Sequence, residues 1–328
     1  MKSRTDRNAI AAWLFLCAAL VFAIVVVGGV TRLTHSGLSI VEWQPLVGAI
    51  PPLHEADWQA LFEKYRATPE FKLVNFDMTL EGFKRIFWWE YVHRLLGRTI
   101  GAVFLLPFLW FWLRRRIDKP LAWKLAAVFM LGAAQGALGW FMVKSGLVED
   151  PRVSQFRLTA HLGLALAIFA TQLWIALDVR RPRTRGLRGL AAALPVIVYV
   201  MALTGGMVAG LRAGYAYNTF PLMNGHVVPP ETWLLDPWWR NFGYNMAAVQ
   251  LLHRSFFWLL LVLVPIAWWR WRALPAAHAL GAAFVLQAAL GISTLLLHVP
   301  IALAATHQAG AVLLLAATLW FSHERAAR

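Results

Sequence analysis

The stretch AIAAWLFLCAALVFAIVVVGGV, residues 9–30, carries no charged side chain. A helix needs about 20 mostly apolar residues to cross the hydrocarbon core of a bilayer, and this run is long enough. A secretory signal has a shorter apolar core that ends at a small-residue cleavage site, and no such site is evident here. We therefore expect a retained first membrane helix.

The composition extends this conclusion to the whole chain. Of its 328 residues, 59% are hydrophobic and 14% are charged, and the mean hydropathy is +0.57. Soluble domains have about 25% charged residues, so an all-α integral membrane protein is expected. The net charge of +15 does not indicate nucleic-acid binding, because the basic residues form short clusters between apolar runs. Cys17 is the only cysteine, which excludes an intramolecular disulfide, a cysteine zinc site and a CxxC motif.

Eight segments are long and apolar enough to span a membrane: 9–30, 87–113, 120–142, 158–178, 190–210, 244–269, 275–297 and 301–322. The links between them alternate between basic and acidic. The positive-inside rule puts the basic side, with both termini, in the cytoplasm. The two long links on the opposite side, 31–86 and 211–243, are rich in Trp, Pro and Gly, and we expect folded caps there.

The chain also contains an internal repeat. Four segments of the first half match four of the second in the same order: GGVTRLTHSGLS (28–39) with GGMVAGLRAGYA (205–216), VHRLLGR (92–98) with LHRSFFW (252–258), QGALGW (135–140) with QAALGI (287–292), and LTAHLGLAL (158–166) with AATHQAGAV (304–312). Four helices return a chain to its starting side, so the halves share one orientation. We predict two tandem pseudo-symmetric four-helix bundles, residues 1–180 and 190–328.

Four histidines fall inside predicted spans at repeat-equivalent positions: His93, His161, His253 and His307. Neutral imidazole is a good axial ligand of haem iron, and the core of a four-helix bundle can hold the flat macrocycle. We predict one haem in each half, ligated by His93 and His161 in the first and by His253 and His307 in the second. The alternative is that each histidine only hydrogen-bonds across helices. A structural zinc site is not indicated, because neither pair has a third histidine or a cysteine nearby.

Charged neighbours of these histidines suggest further roles. Arg94 and Arg254 follow the first histidine of each pair and are candidates to bind haem propionates, or else to bond carbonyl groups. Glu90 precedes His93 by one helical turn, whereas the second half has Gln250 there. A carboxylate beside a haem can accept protons or stabilise positive charge, so Glu90 is the predicted catalytic residue. The alternative is that it pairs with Arg94.

The remaining polar residues of the spans and margins receive simpler interpretations. We interpret Gln135 and Gln287, with Gly139 and Gly291, as helix-packing residues. The other six histidines are expected at the surface or the membrane interface: His35, His54, His226, His278, His298 and His323.

Long motifs of the chain resemble the haem A synthase family: GGVTRLTHSGLSIVEWQPLVGAIPP (28–52), YRATPEF (65–71), NFDMTLEGFKRIFWWEYVHRLLGR (75–98), QGALGWFMVKSGL (135–147) and GGMVAGLRAGYAYNTFPLMNG (205–225). The resemblance implies an inner-membrane enzyme that oxidises the C8 methyl group of haem O to the formyl group of haem A, by successive hydroxylations. It also implies that the first half holds the substrate haem, with Glu90 needed for activity, and that the second holds a haem B cofactor that passes electrons.

The resemblance has one departure and leaves alternatives. Some members carry a cysteine pair in an outer loop, and this chain does not, so it is similar to the proteobacterial and mitochondrial branch. The implied partners are a haem O synthase (protohaem farnesyltransferase) upstream and a membrane electron acceptor, while a homo-oligomer stays open. The main rival is a di-haem b-type electron-transfer protein, which would not need Glu90 at only one site. A haem transporter would favour helices broken near the midplane.

Overall fold

The computed structural model describes residues 4–44, 47–147 and 151–327. Regular structure within these residues is helical without strands, which confirms an all-α fold. The outermost ends of the two predicted bundles, residues 1–3 and 328, lie outside them. The α-helices in the described part of the chain are α1 (Arg4–Leu33), α2 (Glu55–Arg66), α3 (Pro69–Leu73), α4 (Leu80–Leu113), α5 (Lys119–Lys144), α6 (Gln155–Arg180), α7 (Leu190–Gly210), α8 (Asn241–Tyr244), α9 (Met246–Arg270), α10 (Pro275–Leu296) and α11 (Ile301–Ala327).

Eight of the helices in this described part are long and apolar enough to cross a membrane, and they coincide with the eight predicted spans. Two begin well before the predicted start, α1 by five residues and α4 by seven. α1 starts at Arg4, and its first turn is stabilised by an ion pair between Asp6 and Arg116 at 3.2 Å. α4 starts at Leu80, where the Thr79 hydroxyl accepts a hydrogen bond from the Gly82 amide and caps the helix.

The spanning helices of each half form a closed ring. In the first half α1 and α5 each pack against α4 and α6, and in the second half α7 and α10 each pack against α9 and α11. The halves meet along α1, α6, α7 and α11, and one hydrophobic core runs through both. The Tyr199 hydroxyl donates to the Gly163 carbonyl across this interface at 3.1 Å.

The two long outer links are folded, as predicted. In the first, α2, α3 and the outer turns of α4 enclose an aromatic cluster: Trp58, Phe62, Tyr65, Phe83, Phe87 and Tyr91. In the second, three 3₁₀ turns precede α8, and the buried Asn241 side chain donates to the Leu235 and Trp238 carbonyls. Each link therefore forms a cap above the outer ends of its bundle.

The first cap contains a buried carboxyl group. Glu70 is only 4% exposed, and its Oε2 accepts a 3.4 Å hydrogen bond from the Tyr65 hydroxyl. That hydroxyl in turn accepts from Asn75 Nδ2 at 2.7 Å. Burial, with a smaller contribution from the negative charge of Glu90, raises the pKa of Glu70 to about 7 from an ordinary 4.5.

We expect this group to make the cap pH-sensitive. Between pH 4.5 and about 7 the folded cap binds more protons than the unfolded chain, so its stability is full below pH 4.5 and falls as the pH rises through about 7. Glu70→Gln should remove this dependence. Hydrogen exchange of residues 55–75 at pH 5.5 and pH 8, corrected for intrinsic rates, measures it. Glu63→Gln, an exposed carboxylate in α2, should behave as wild type, and the same pH dependence in Glu70→Gln would contradict the assignment.

Candidate functional site

The structure places the four predicted ligand histidines in the outer parts of alternate spans: His93 in α4, His161 in α6, His253 in α9 and His307 in α11. The last three follow the starts of their helices by six or seven residues, which is about 9 to 10 Å of rise. His93 lies thirteen residues into α4, further from the start of its helix than predicted, because α4 extends about two turns outwards into the cap.

The two histidines of each half lie near each other, and ligation of a haem by either pair stays a prediction. His93 interacts electrostatically with His161, and His253 does so with His307. Among the described residues no group of three or more His, Cys, Asp or Glu side chains could hold a metal ion. Each half thus brings two imidazoles together, and two imidazoles can supply the axial ligands of an iron held in a macrocycle.

Each histidine lies against a glycine of the neighbouring span. A methyl group added at Gly28, Gly139, Gly205 or Gly291 would come within 2.8, 3.0, 3.2 or 2.7 Å of the imidazole of His93, His161, His253 or His307, respectively. A Cβ atom is essentially never found closer than 3.0 Å to such an atom, so a larger residue at Gly28 or Gly291 would displace the imidazole that it meets. The contact joins the first to the second span, and the third to the fourth, in both halves.

Two glutamines anchor the second histidine of each pair. Gln135 Nε2 donates to the backbone carbonyl of His161 at 3.0 Å, and Gln287 Nε2 donates to that of His307 at the same distance. The Nδ1 atoms of both histidines and the Oε1 atoms of both glutamines are buried without a hydrogen-bond partner among the described residues. Burying such groups costs free energy unless a ligand satisfies them, so both sites fit a bound polar or metal-containing group.

The first histidine of the second half is oriented by a threonine. The Thr204 hydroxyl lies 2.9 Å from His253 Nδ1 and donates to the Met201 carbonyl at 2.7 Å. Because its proton is used there, the hydroxyl accepts the Nδ1–H of His253, which leaves the Nε2 lone pair for a metal. The repeat-equivalent of Thr204 is Val27, which has no hydroxyl. His93 therefore cannot be oriented in this way.

Glu90 is a buried carboxylate that accepts four hydrogen bonds. Its Oε2 accepts from the Ser39 hydroxyl and the Ile40 amide, both at 2.8 Å, and its Oε1 accepts from Arg94 at 2.6 and 3.1 Å. Arg94 also donates to the carbonyls of Ile40 and Glu42. The ion pair with Arg94 is the alternative role left open by the sequence, and it fastens the first outer link to α4.

The second half repeats this clamp without the negative charge. Gln250 Oε1 accepts from Arg254 at 3.0 Å, and Gln250 Nε2 donates to the Ala213 carbonyl at 2.8 Å. Arg254 donates further to the Tyr217 and Thr219 carbonyls. Both arginines thus bond loop carbonyls, the other role considered for them, and binding of propionates by Arg94 and Arg254 stays a prediction.

One of the remaining histidines is misplaced by the sequence interpretation. His323 is 3% exposed rather than at the surface, and its Nε2 lies 3.1 Å from Asp178 Oδ1 of α6. It packs edge-on against Trp174, because the last turns of α11 continue along α6. The other five are exposed as predicted: His35, His54, His226, His278 and His298.

Several residues of the sites were not predicted as such. Gln135, Gln287, Gly139 and Gly291 do pack helices, but the groups that they contact are the predicted ligands. Their equal positions in the repeat were a signal that could have assigned them to the sites. Nothing in the sequence marks Thr204, because its contact depends on the crossing of α7 and α9.

Fold and site together define an integral membrane protein with a histidine pair in each of two repeated halves. The sequence model of the cytochrome oxidase assembly protein family matches residues 11–319. The chain is 59% identical to the Heme A synthase of Nitrosospira multiformis (96% of this chain, 93% of the relative) and 52% identical to that of Nitrosomonas eutropha (95% and 92%). It is 48% identical to that of Paramagnetospirillum magneticum (96% and 93%). The chain belongs to the cytochrome oxidase assembly protein family.

The Thr204 contact can be tested directly. We expect Thr204→Val, which keeps the shape and removes the hydroxyl, to weaken haem binding by His253 and His307 about tenfold, because partners of metal-bound histidines contribute on this scale. The midpoint potential of the second-half haem should shift as well, and Thr204→Ser should restore both quantities. Haem titration and a spectroscopic redox titration measure them. Wild-type values of both in Thr204→Val would show that the hydrogen bond does not orient a ligand.

Proposed function

We propose that this chain oxidises the C8 methyl group of haem O to the formyl group of haem A, for cytochrome oxidase assembly. Support comes from relatives named Heme A synthase that align with at least 95% of the chain and from the paired histidines of both halves. The observation that carries the proposal is an asymmetry. Two equivalent clamps differ in one charge, Glu90 with Arg94 against Gln250 with Arg254.

The proposed division of labour follows from this asymmetry. The first half holds the substrate haem O between His93 and His161, next to the only clamp with a carboxylate. The second half holds haem B between His253 and His307. The Thr204 hydrogen bond supports this assignment, because a resident cofactor benefits from an oriented ligand whereas a substrate must leave. A bound haem iron supplies the redox chemistry that the side chains cannot.

The role proposed for Glu90 is electrostatic. Two donors and the Arg94 guanidinium hold the Glu90 carboxylate in a buried place of low dielectric constant. A fixed charge of this kind stabilises positive charge that develops as the neighbouring substrate is oxidised. We propose that the oxidation proceeds by successive hydroxylations of the C8 methyl group to a gem-diol, which loses water.

The setting of the reaction follows from charge and hydropathy. We propose a bacterial inner membrane, with both termini in the cytoplasm, because basic residues such as Arg114 and Arg115 lie on the side of the termini. Both histidine pairs then lie in the outer part of the bilayer. Haem O, supplied by a haem O synthase, reaches the first half within the membrane, and a membrane electron acceptor takes up the electrons.

The function is tested by co-expression with a haem O synthase in a host that makes no haem A. The purified chain should then contain haem A, and without the synthase it should contain haem B alone. Haems are extracted and separated by chromatography. A chain that binds haem B and haem O but never forms haem A would favour the di-haem electron-transfer protein.

The clamp asymmetry gives a sharper prediction. Glu90→Gln should fold and bind both haems, because Gln250 makes the same contact with Arg254 in the second half. Haem A formation should nevertheless fall about 100-fold with the loss of the charge. The ratio of haem A to haem O in extracts measures the effect.

The matched control is Glu81→Gln, an exposed carboxylate of the same helix paired with Lys84. This variant should keep the wild-type ratio. A wild-type ratio in Glu90→Gln would exclude a role of its charge in the reaction.

A further inference from the structure

The second half is closed by an aromatic pair directly beneath its histidines. Phe257 of α9 and Phe284 of α10 stack with ring centroids 6.2 Å apart and planes at 17°. Phe257 lies one turn beyond His253, and Phe284 one turn below Gln287. Since α9 runs inwards and α10 outwards, both rings lie about one turn deeper in the membrane than the site residues.

The first half has glycine at both equivalent positions. The repeat aligns Phe257 with Gly97 and Phe284 with Gly132. A methyl group added at Gly132 would have no atom within 4 Å, and one at Gly97 would meet only Ile24 Cδ1 at 3.5 Å. Ordinary packing therefore does not explain the loss of two aromatic rings, because neither glycine is required by a close contact.

The first half has a stacked pair of its own, but deeper. Phe104 of α4 and Phe129 of α5 stack at 6.3 Å and 17°, nearly the geometry of the second-half pair. Phe104 is seven residues beyond Gly97, about 10 Å further in, and Phe129 is three residues below Gly132, about 4.5 Å further in. The second half has Val264 and Gly281 at these positions.

Gly132 shares a helix face with residues of the site. Gly132, Gln135 and Gly139 follow one another at helical spacing on one face of α5. Gln135 and Gly139 both contact His161, so Gly132 faces the same side. The buried, unpaired Oε1 of Gln135 and Nδ1 of His161 lie directly above it. On this face the first half therefore has no aromatic ring at the level where Phe257 and Phe284 stack in the second.

We infer that the depth of the aromatic pair decides which haem each half accepts, with the first half taking a haem that carries an isoprenoid chain and the second one that does not. This inference rests on the proposed function. Haem O bears a hydroxyethylfarnesyl chain where haem B bears a vinyl group, on the edge of the macrocycle away from the propionates. With the propionates towards the polar outer face, the chain runs into the membrane, past Gly97 and Gly132 towards Phe104 and Phe129.

The glycines also form two GxxxG patterns, Gly97 with Gly101 and Gly132 with Gly136, which are known from helix pairs in membranes. Pairing with another copy of the chain would use an outward face. Gly132 shares its face with the two residues that contact His161, which favours the chain-binding role. The oligomeric size of each variant separates the two roles.

The test counts haems per chain after co-expression with a haem O synthase. Haem O and haem A both carry the isoprenoid chain, so their sum reports binding, whereas their ratio reports the proposed reaction. Gly132→Phe should lower the sum at least about tenfold, because a filled pocket rejects a bulky substituent on this scale. Its haem B content should stay at or above that of wild type. Ala133→Phe and Ala102→Phe place the same ring at positions that are exposed like Gly132 but lie on other faces of α5 and α4, and they should leave the sum unchanged.

A wild-type sum of haem O and haem A in Gly132→Phe would overturn the inference, and so would an equal loss of that sum in Ala133→Phe. A changed oligomeric size with an undiminished sum would also overturn it. If Gly132→Phe loses haem B as well as haem O and haem A, the reciprocal double variant Phe257→Ala, Phe284→Ala tests the inference instead. This variant should exceed the wild-type sum at the expense of haem B, and unchanged contents would overturn the inference. If the wild-type chain binds haem O without forming haem A, the proposed function is wrong, whereas the inference about the aromatic pairs stands.

Discussion

In both halves the packing of the spanning helices depends on contacts between a histidine and a glycine of the preceding span. An imidazole in the bilayer is costly unless it faces the interior of the bundle and is bonded there. At Gly28 and Gly291 the imidazole lies where a side chain would otherwise begin, so the two helices approach more closely than larger residues allow. The rings of four helices are built on these approaches, and the histidines of each pair face each other as a result.

The same scaffold supports two different environments through differences at a few equivalent positions beside the histidines. In both halves an arginine and the residue four positions before it hold the outer link, but of these two partners only Glu90 has a negative charge. The Thr204 hydroxyl contacts the ring of His253, whereas its repeat-equivalent Val27 has none, and Phe257 with Phe284 stack beneath the second pair where the first half has glycines. Each difference lies within about one turn of a histidine. A duplicated bundle can thus separate a reactive site from an accessory one without any change of fold.

The sequence predicted the eight spans well and placed one pair of histidines within the spans of each half, because apolar length and a repeat with four histidines are strong signals. The prediction from sequence was weaker where contacts between residues far apart in the chain determine the length of a helix or the burial of a side chain. The outer extension of α4 depends on packing against Trp58 and Phe62 of α2, which periodicity does not reveal. His323 is buried because α11 continues along α6 to Asp178, a contact between residues far apart in the chain. The interaction of Thr204 with His253 was missed for the same reason, since it joins two helices whose crossing the sequence does not specify.

The two halves also depend on each other through α1 and α11. Gln308, the neighbour of His307, donates to the Val25 carbonyl at 2.6 Å, and Val25 lies one turn from Gly28, which contacts His93. The same glutamine packs on Gly29, where a methyl group would lie 2.6 Å from its amide. The repeat-equivalent of Gln308 is Leu162, so this bond occurs once, in the direction from the second site to the first. Through this glutamine, α11 at His307 packs directly on the helix that positions His93, and the two histidine sites share one packed interface.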